Sequence, residues 1–148
     1  MIHDSLNMYL ELHYPSGISE ELIDYTDSVI PLLRFPQRVA ELLQSLQPVK
    51  TNNRGLDVGC SVGRASFQLA TYFDHVEAFD YSENFITTAK RIQSGEQVTF
   101  QVPIEGKISE KAIIKTGVDA SVMKKVNFFQ GNACALNEYK DTIGPLME

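Results

Sequence analysis

The sequence predicts an α/β fold built on parallel strands. Three observations predict it. After residue 50, short apolar runs alternate with amphipathic stretches in the order strand, helix, strand, helix, strand. Glycines at 59 and 63 mark a turn where the first strand runs into the first helix. A helix between successive strands supplies the right-handed crossover that a parallel sheet needs.

The elements follow in order. Leu6, Tyr9, Leu10 and His13 recur at helical spacing within 4–14, and Pro15-Ser16-Gly17 ends that segment. A second helix is expected from Ser19 to Asp27, with Ser19 as N-cap and Glu20 and Glu21 in its first turn. Pro36 suits the first turn of a third, along which Val39, Leu42, Leu43 and Leu46 form an apolar stripe until Pro48 stops it. Gly55 to Val58 reads as the first strand, and Val62, Ala65, Leu69 and Phe73 mark one face of the helix after it. Val76 to Phe79 is the second strand. Ser82 caps a helix with Phe85, Ala89 and Ile92 inward, and Val126 to Phe129 is the third strand. An insertion separates them. Residues 98–103 alternate and 111–115 favour β structure, with Glu105-Gly106 in the turn, so a hairpin is expected, then a short helix from Asp119 to Lys125.

A chain of 148 residues suffices for one domain, and 43% hydrophobic with 22% charged residues is ordinary globular composition. A net charge of −6 argues against nucleic acid as the main partner and fits a cationic ligand. No apolar run approaches the ~18 residues of a membrane span. The first eight residues lack the basic and apolar regions of a secretory signal. Cys60 and Cys134 make no disulfide framework, so free thiols in a cytoplasmic protein are expected. Cys60 reads as a small buried hydrophobe rather than a nucleophile, and no Cys/His spacing suggests a metal.

The chemistry concentrates in Leu56-Asp57-Val58-Gly59-Cys60-Ser61-Val62-Gly63-Arg64. A strand ends, the backbone turns at Gly59, and Gly63 opens a helix, letting main chain approach a ligand that a Cβ would exclude. Asp57 can hold a ligand ammonium directly or through water. A dinucleotide fingerprint fails twice, because Ser61 and Arg64 stand where its second and third glycines belong. Asp-x-Gly-x-x-x-Gly suits S-adenosylmethionine (SAM) better than a pyrophosphate, although ordinary strand–helix turns also contain glycines. Asp80 lies 23 residues beyond Asp57, where a carboxylate grips a ribose diol. It could also merely cap a helix, but Ser82 already supplies a cap. Directly after the third strand, an Asn132 side-chain oxygen with the N–H of Ala133 or Cys134 could read an adenine edge. Three such loops at the carboxyl ends of parallel strands meet at one crevice.

These residues resemble the class I methyltransferase family, at Asp57, Gly59 and Gly63 of its first motif, Asp80 of its second, and Gly131 and Ala133 of the third loop. Ser61 departs from a usual glycine and Asn132 from a usual acid. The resemblance implies the amino-terminal half of a Rossmann-like fold, with parallel strands ordered 3-2-1 and the inserted hairpin. It implies SAM as cofactor, held by Asp57, Gly59, Cys60, Ser61, Gly63, Asp80, Tyr81, Asn132 and Ala133. Tyr9–Tyr14, Phe35–Arg38, Gly59–Ala70, Phe128–Cys134 and the 98–115 insertion look like the methyltransferase domain of ovothiol synthases. That family methylates a ring nitrogen of 5-thiohistidine, so a small-molecule acceptor is implied. Its iron-dependent sulfoxide synthase domains find no counterpart here. The implied reaction is in-line displacement by a neutral imidazole nitrogen, needing neither metal nor strong base.

Residues 1–50 are expected to form a helical lid, with Tyr9, His13, Tyr14 and Arg38 as substrate contacts, although such residues on an amphipathic helix also serve packing. Residues 51–148 are expected to be the SAM-binding half. Family members continue with strands four to seven, whereas this sequence ends at 144–148. The expectation is an open apolar edge on the first strand and one sheet face without cover, either because the sequence is a piece of a longer chain or because a second copy or another chain meets the edge. A SAM-holding module without turnover is the alternative.

Overall fold

The computed structural model describes residues 2–16, 34–46 and 53–143. The helix expected at Ser19–Asp27 lies outside them. Helix α1 spans Ile2–His13 and α2 spans Phe35–Leu46. Then come β1 (Arg54–Val58), α3 (Arg64–Leu69), β2 (His75–Asp80) and α4 (Glu83–Gln93). The hairpin strands β3 (Thr99–Glu105) and β4 (Ile108–Ile113), the short α5 (Ala120–Met123) and β5 (Val126–Gln130) follow. A 3-10 segment, Ala133–Tyr139, leads into α6, Lys140–Ile143.

Strands β1, β2 and β5 form a parallel sheet in the order β1-β2-β5, with Asp57 beside Ala78 and Ala78 beside Phe128. This is the expected 3-2-1 order. The hairpin also forms, antiparallel and bulged between Pro103 and Glu105.

The parallel register sorts side chains onto two faces. One face carries Val76, Ala78 and Phe128, all buried. It packs on Phe67 of α3, whose ring meets that of Phe128 edge-on at 5.4 Å. Ile86, Ala89 and Ile92 of α4 join the same core. Phe85, expected inward, is only half-buried beside it.

The opposite face differs from expectation. Glu77, 4% exposed, accepts hydrogen bonds there from Asn127 Nδ2 at 2.7 Å and Arg54 Nη2 at 3.3 Å, and pairs with His75 Nε2 at 2.6 Å. Nearer the strands' carboxyl ends, Tyr139 folds back over Phe79 and Phe129, each with ring centroids 5.6 Å away. The face is therefore partly polar and partly covered by 133–143. A sheet face without cover was expected; the return of 133–143 covers part of it, and a buried carboxylate with three partners needs no hydrophobic cover. Among the described residues, β1 pairs with β2 alone, and Val58 is 45% exposed.

The stripe on α2 also departs from expectation. Its register is helical, but Val39, Leu42, Leu43 and Leu46 are all exposed, and Ala40 is the buried contact.

Candidate functional site

The crevice is built where the three parallel strands end. Gly59 and Cys60 both donate their N–H to Phe79 O, at 2.9 and 3.0 Å, so the turn after β1 is laced to β2. Gly131 N donates to Asp80 O at 3.0 Å, bringing the loop after β5 to the same place. Gly59 takes φ 78°, and open space lies where its Cβ would point. Gly63 takes φ 84°, and a Cβ there would meet Phe128 at 2.8 Å. The first glycine leaves main chain bare at the crevice; the second seats α3 on the core.

Between them, Ser61 also adopts a left-handed backbone, φ 51°. Its N–H donates to Asp80 Oδ2 at 2.9 Å, while its own Oγ is buried without a partner. Asp80 Oδ1 accepts from Ser82 N at 2.9 Å, and Ser82 Oγ caps Phe85 N at 3.3 Å. Asp80 thus joins two loops, and its two oxygens keep lone pairs for further donors. Asp57 Oδ2 accepts from Ser66 Oγ at 2.6 Å. Burial raises its carboxyl above the ordinary range, against the Ser66 bond and with a smaller push from Asp80. An ammonium between these two acids would relieve that strain. Cys60 is 2% exposed, and burial foremost pushes its thiol upward, so it behaves as the small hydrophobe expected.

Other expected residues sit differently. Tyr81, 75% exposed, stands at the mouth. Asn132 Oδ1 accepts from Cys134 N at 2.9 Å and Asn132 N donates to Tyr139 Oη at 2.8 Å, so this loop is braced from within. The expected use of the Cys134 N–H toward adenine is corrected, because that donor is already spent. Ala133 remains exposed at the rim.

Helix α1 closes one side. Tyr14, 3% exposed, donates its hydroxyl to Val62 O at 2.9 Å, within the glycine turn itself. That hydroxyl is spent on structure, while the residue also lines, with His13, a cavity beside this turn. The Tyr9 ring packs tilted against Phe85 at 4.8 Å and lies 6.1 Å from the His13 ring. His13 is 7% exposed and its Nδ1 has no partner. Burial first, then the nearby Arg64 charge, lowers its pKa to about 4, against an opposing pull from Asp80. His13 is therefore neutral at physiological pH and lies within electrostatic reach of both groups.

Sequence reasoning missed a cavity of about 610 Å³ beside this crevice. His13, Arg34, Gln37, Arg64, Gln68 and Lys115 are among its walls. Arg38, expected to contact substrate, is exposed and does not line it; Arg34 and Gln37 do. One signal was present: Arg64 opens α3, where a helix dipole disfavours a cation.

A comparison with curated proteins returns no match. Solved structures that resemble part of this chain include YcgJ from Bacillus subtilis, 17% identical over 65% of this chain and 30% of that one, at a TM-score of 0.43. A TehB-like SAM-dependent methyltransferase from Corynebacterium glutamicum is 16% identical over 66% of this chain and 34% of that one, at 0.37. Phosphoethanolamine N-methyltransferase 1 of Haemonchus contortus, in complex with phosphoethanolamine and S-adenosylhomocysteine, is 17% identical over 90% and 22%, at 0.43. This chain spans about a third or less of the length of each. Among sequence families, the methyltransferase domain matches residues 56–142, which holds the glycine turn, Asp80 and the loop after β5. That match covers more than half of the chain, which belongs to the methyltransferase domain family of SAM-dependent enzymes.

Proposed function

We propose that this chain holds SAM in the crevice and directs its methyl to a ring nitrogen of a small imidazole, 5-thiohistidine being the acceptor suggested by resemblance to ovothiol synthases. The observation that carries the reading is the Ser61 N to Asp80 Oδ2 bond of 2.9 Å, which ties the glycine turn to the acid at the end of β2. The residues present fit the cofactor. Gly59 leaves main chain bare, Ser61 Oγ is a buried hydroxyl lacking a partner, and Asp80 retains acceptor capacity for two vicinal hydroxyls. Asp57 would meet the ammonium, while Gly63 and Cys60 shape the turn. Tyr81, Asn132 and Ala133 would flank the adenine.

When bound, SAM supplies an electrophilic methyl carbon. The protein's own contribution is positioning and exclusion of water. His13 Nδ1, neutral and unpartnered, can accept a hydrogen bond from an acceptor N–H and orient its opposite nitrogen. In this proposal residues 1–50 act as a lid over a SAM-binding half at 51–148, and the protein is cytoplasmic. Among the described residues no helix is long and apolar enough to cross a membrane. A second copy or another chain would pair with the outer edge of β1; sedimentation as a clean monomer that binds no apolar dye would exclude this.

Calorimetric titration tests the reading. SAM should give binding heat, NAD none, and Asp80→Ala should abolish the SAM signal while the chain stays folded. Retained SAM affinity in Asp80→Ala would remove the site assignment.

A further inference from the structure

We infer that the cavity beside the crevice is an oxyanion subsite, which anchors a carboxylate or phosphate carried by the methyl acceptor. The inference deepens the proposed function and rests on that reading for the word acceptor; the anion site itself does not depend on it.

Three basic side chains, Arg34, Arg64 and Lys115, line one cavity in a chain whose net charge is −6. No carboxylate is among the described residues of its lining. They come from three separate places: the start of α2, the start of α3 and the exit of the hairpin. Local sequence therefore does not explain their meeting. Arg64 is 6% exposed, yet among the described residues its guanidinium makes one hydrogen bond, Nη1 to the neutral Gln68 Oε1 at 3.3 Å. A guanidinium carries five donors, and burying it with so little compensation is costly unless an anion completes the set. Burial lowers the Arg64 pKa, and the Arg34 charge lowers it further, while Tyr14 and Glu41 oppose. Glu41 does not fill the role, since among the described residues no hydrogen bond or ion pair joins it to Arg64 and it stands outside the lining. Arg34 takes φ 60°, a left-handed backbone rare for a long side chain, and such strain gathers at ligand clamps.

Tyr14 and Arg64 line the cavity, Tyr14 Oη is bonded to Val62 O in the glycine turn, and Arg64 directly follows Gly63, so the two spaces adjoin there. An acceptor bound by its oxyanion between the two arginines would extend its ring past His13 toward the crevice. A small imidazole amino acid has that shape: a carboxylate at one end and a nucleophilic nitrogen at the other. The volume suits such a molecule.

The oxyanion has two possible sources, the acceptor or the carboxylate of SAM, and titrations separate them. Inorganic phosphate, and separately acetate, are titrated at constant ionic strength into the full chain with and without saturating SAM. The Arg34→Met/Lys115→Met variant, altered only at exposed positions, is run alongside. At least one oxyanion should bind equally well in both states, and the variant should weaken it by about tenfold or more while SAM affinity moves less than about threefold. Competition between SAM and the oxyanion, with SAM affinity falling in the variant, would hand the cavity to the donor and overturn the inference. Absence of binding by either anion, or binding unchanged in the variant, would also overturn it. Failure of the proposed function shows separately, as no SAM heat beside intact oxyanion binding.

Discussion

Ser61 holds φ at 51° and buries a hydroxyl without a partner, two costs at one residue. A left-handed backbone costs a non-glycine residue roughly 1–2 kcal/mol, part of which glycine returns through greater freedom in the unfolded chain. Ser61→Gly should therefore stabilise the protein by about 1 kcal/mol in urea unfolding, and Ser61→Ala, which keeps the strain, should gain less. Equal stability of the serine and glycine forms would mean that the turn is relaxed as it stands. His13 gives a prediction in pH. Its folded pKa, about 4, lies below the ordinary 6.5, so the unfolded chain binds the proton first as pH falls. The stability this burial carries is present above about 6.5 and is lost progressively toward pH 4. The loss can reach about 3 kcal/mol. His13→Leu should flatten that slope, and an unchanged slope would show that the imidazole is solvated.

At the scale of elements, the contact between α1 and the glycine turn rests on one buried hydrogen bond, Tyr14 Oη to Val62 O at 2.9 Å. Tyr14→Phe keeps the ring but orphans a carbonyl, which should cost about 1–3 kcal/mol and loosen α1, seen as faster amide exchange in that helix. Wild-type exchange rates would leave α1 held by packing alone. The elements themselves were largely legible in the sequence, because their signals are local. Ser82 caps α4 as its residue type demands, and alternation at 98–103 becomes β3. The fate of the α2 stripe was not legible. Periodicity fixes which residues share a face, not whether another element covers it, and Leu42 and Leu46 stand 60% and 69% exposed. Leu42→Glu and Leu46→Glu should each shift stability by less than about 0.5 kcal/mol. A loss several times larger would show the stripe to be covered in solution.

Across the whole molecule, the same division applies to the site. Asp57, Gly59, Ser61, Gly63 and Asp80 were legible because one strand–turn–helix and one strand end gather them. Arg34, Arg64 and Lys115 were not, because only tertiary packing brings α2, α3 and the hairpin exit to one cavity. The second sheet face was misjudged for a related reason, since no local pattern shows that 133–143 turns back across β2 and β5. Tyr139 makes that return. Its ring packs tilted against Phe79 and Phe129, and its hydroxyl accepts from Asn132 N at 2.8 Å, so one side chain both covers the sheet and braces the third loop of the crevice. Separate substitutions divide those roles. Tyr139→Phe keeps the ring contacts and removes the brace, so it should cost about 1 kcal/mol of stability and lower SAM affinity. Tyr139→Ala also uncovers Phe79 and Phe129, so it should cost about 3 kcal/mol and raise binding of an apolar dye. If Tyr139→Ala neither destabilises the chain nor increases dye binding, this segment does not shield the face, and the cover must come from another chain.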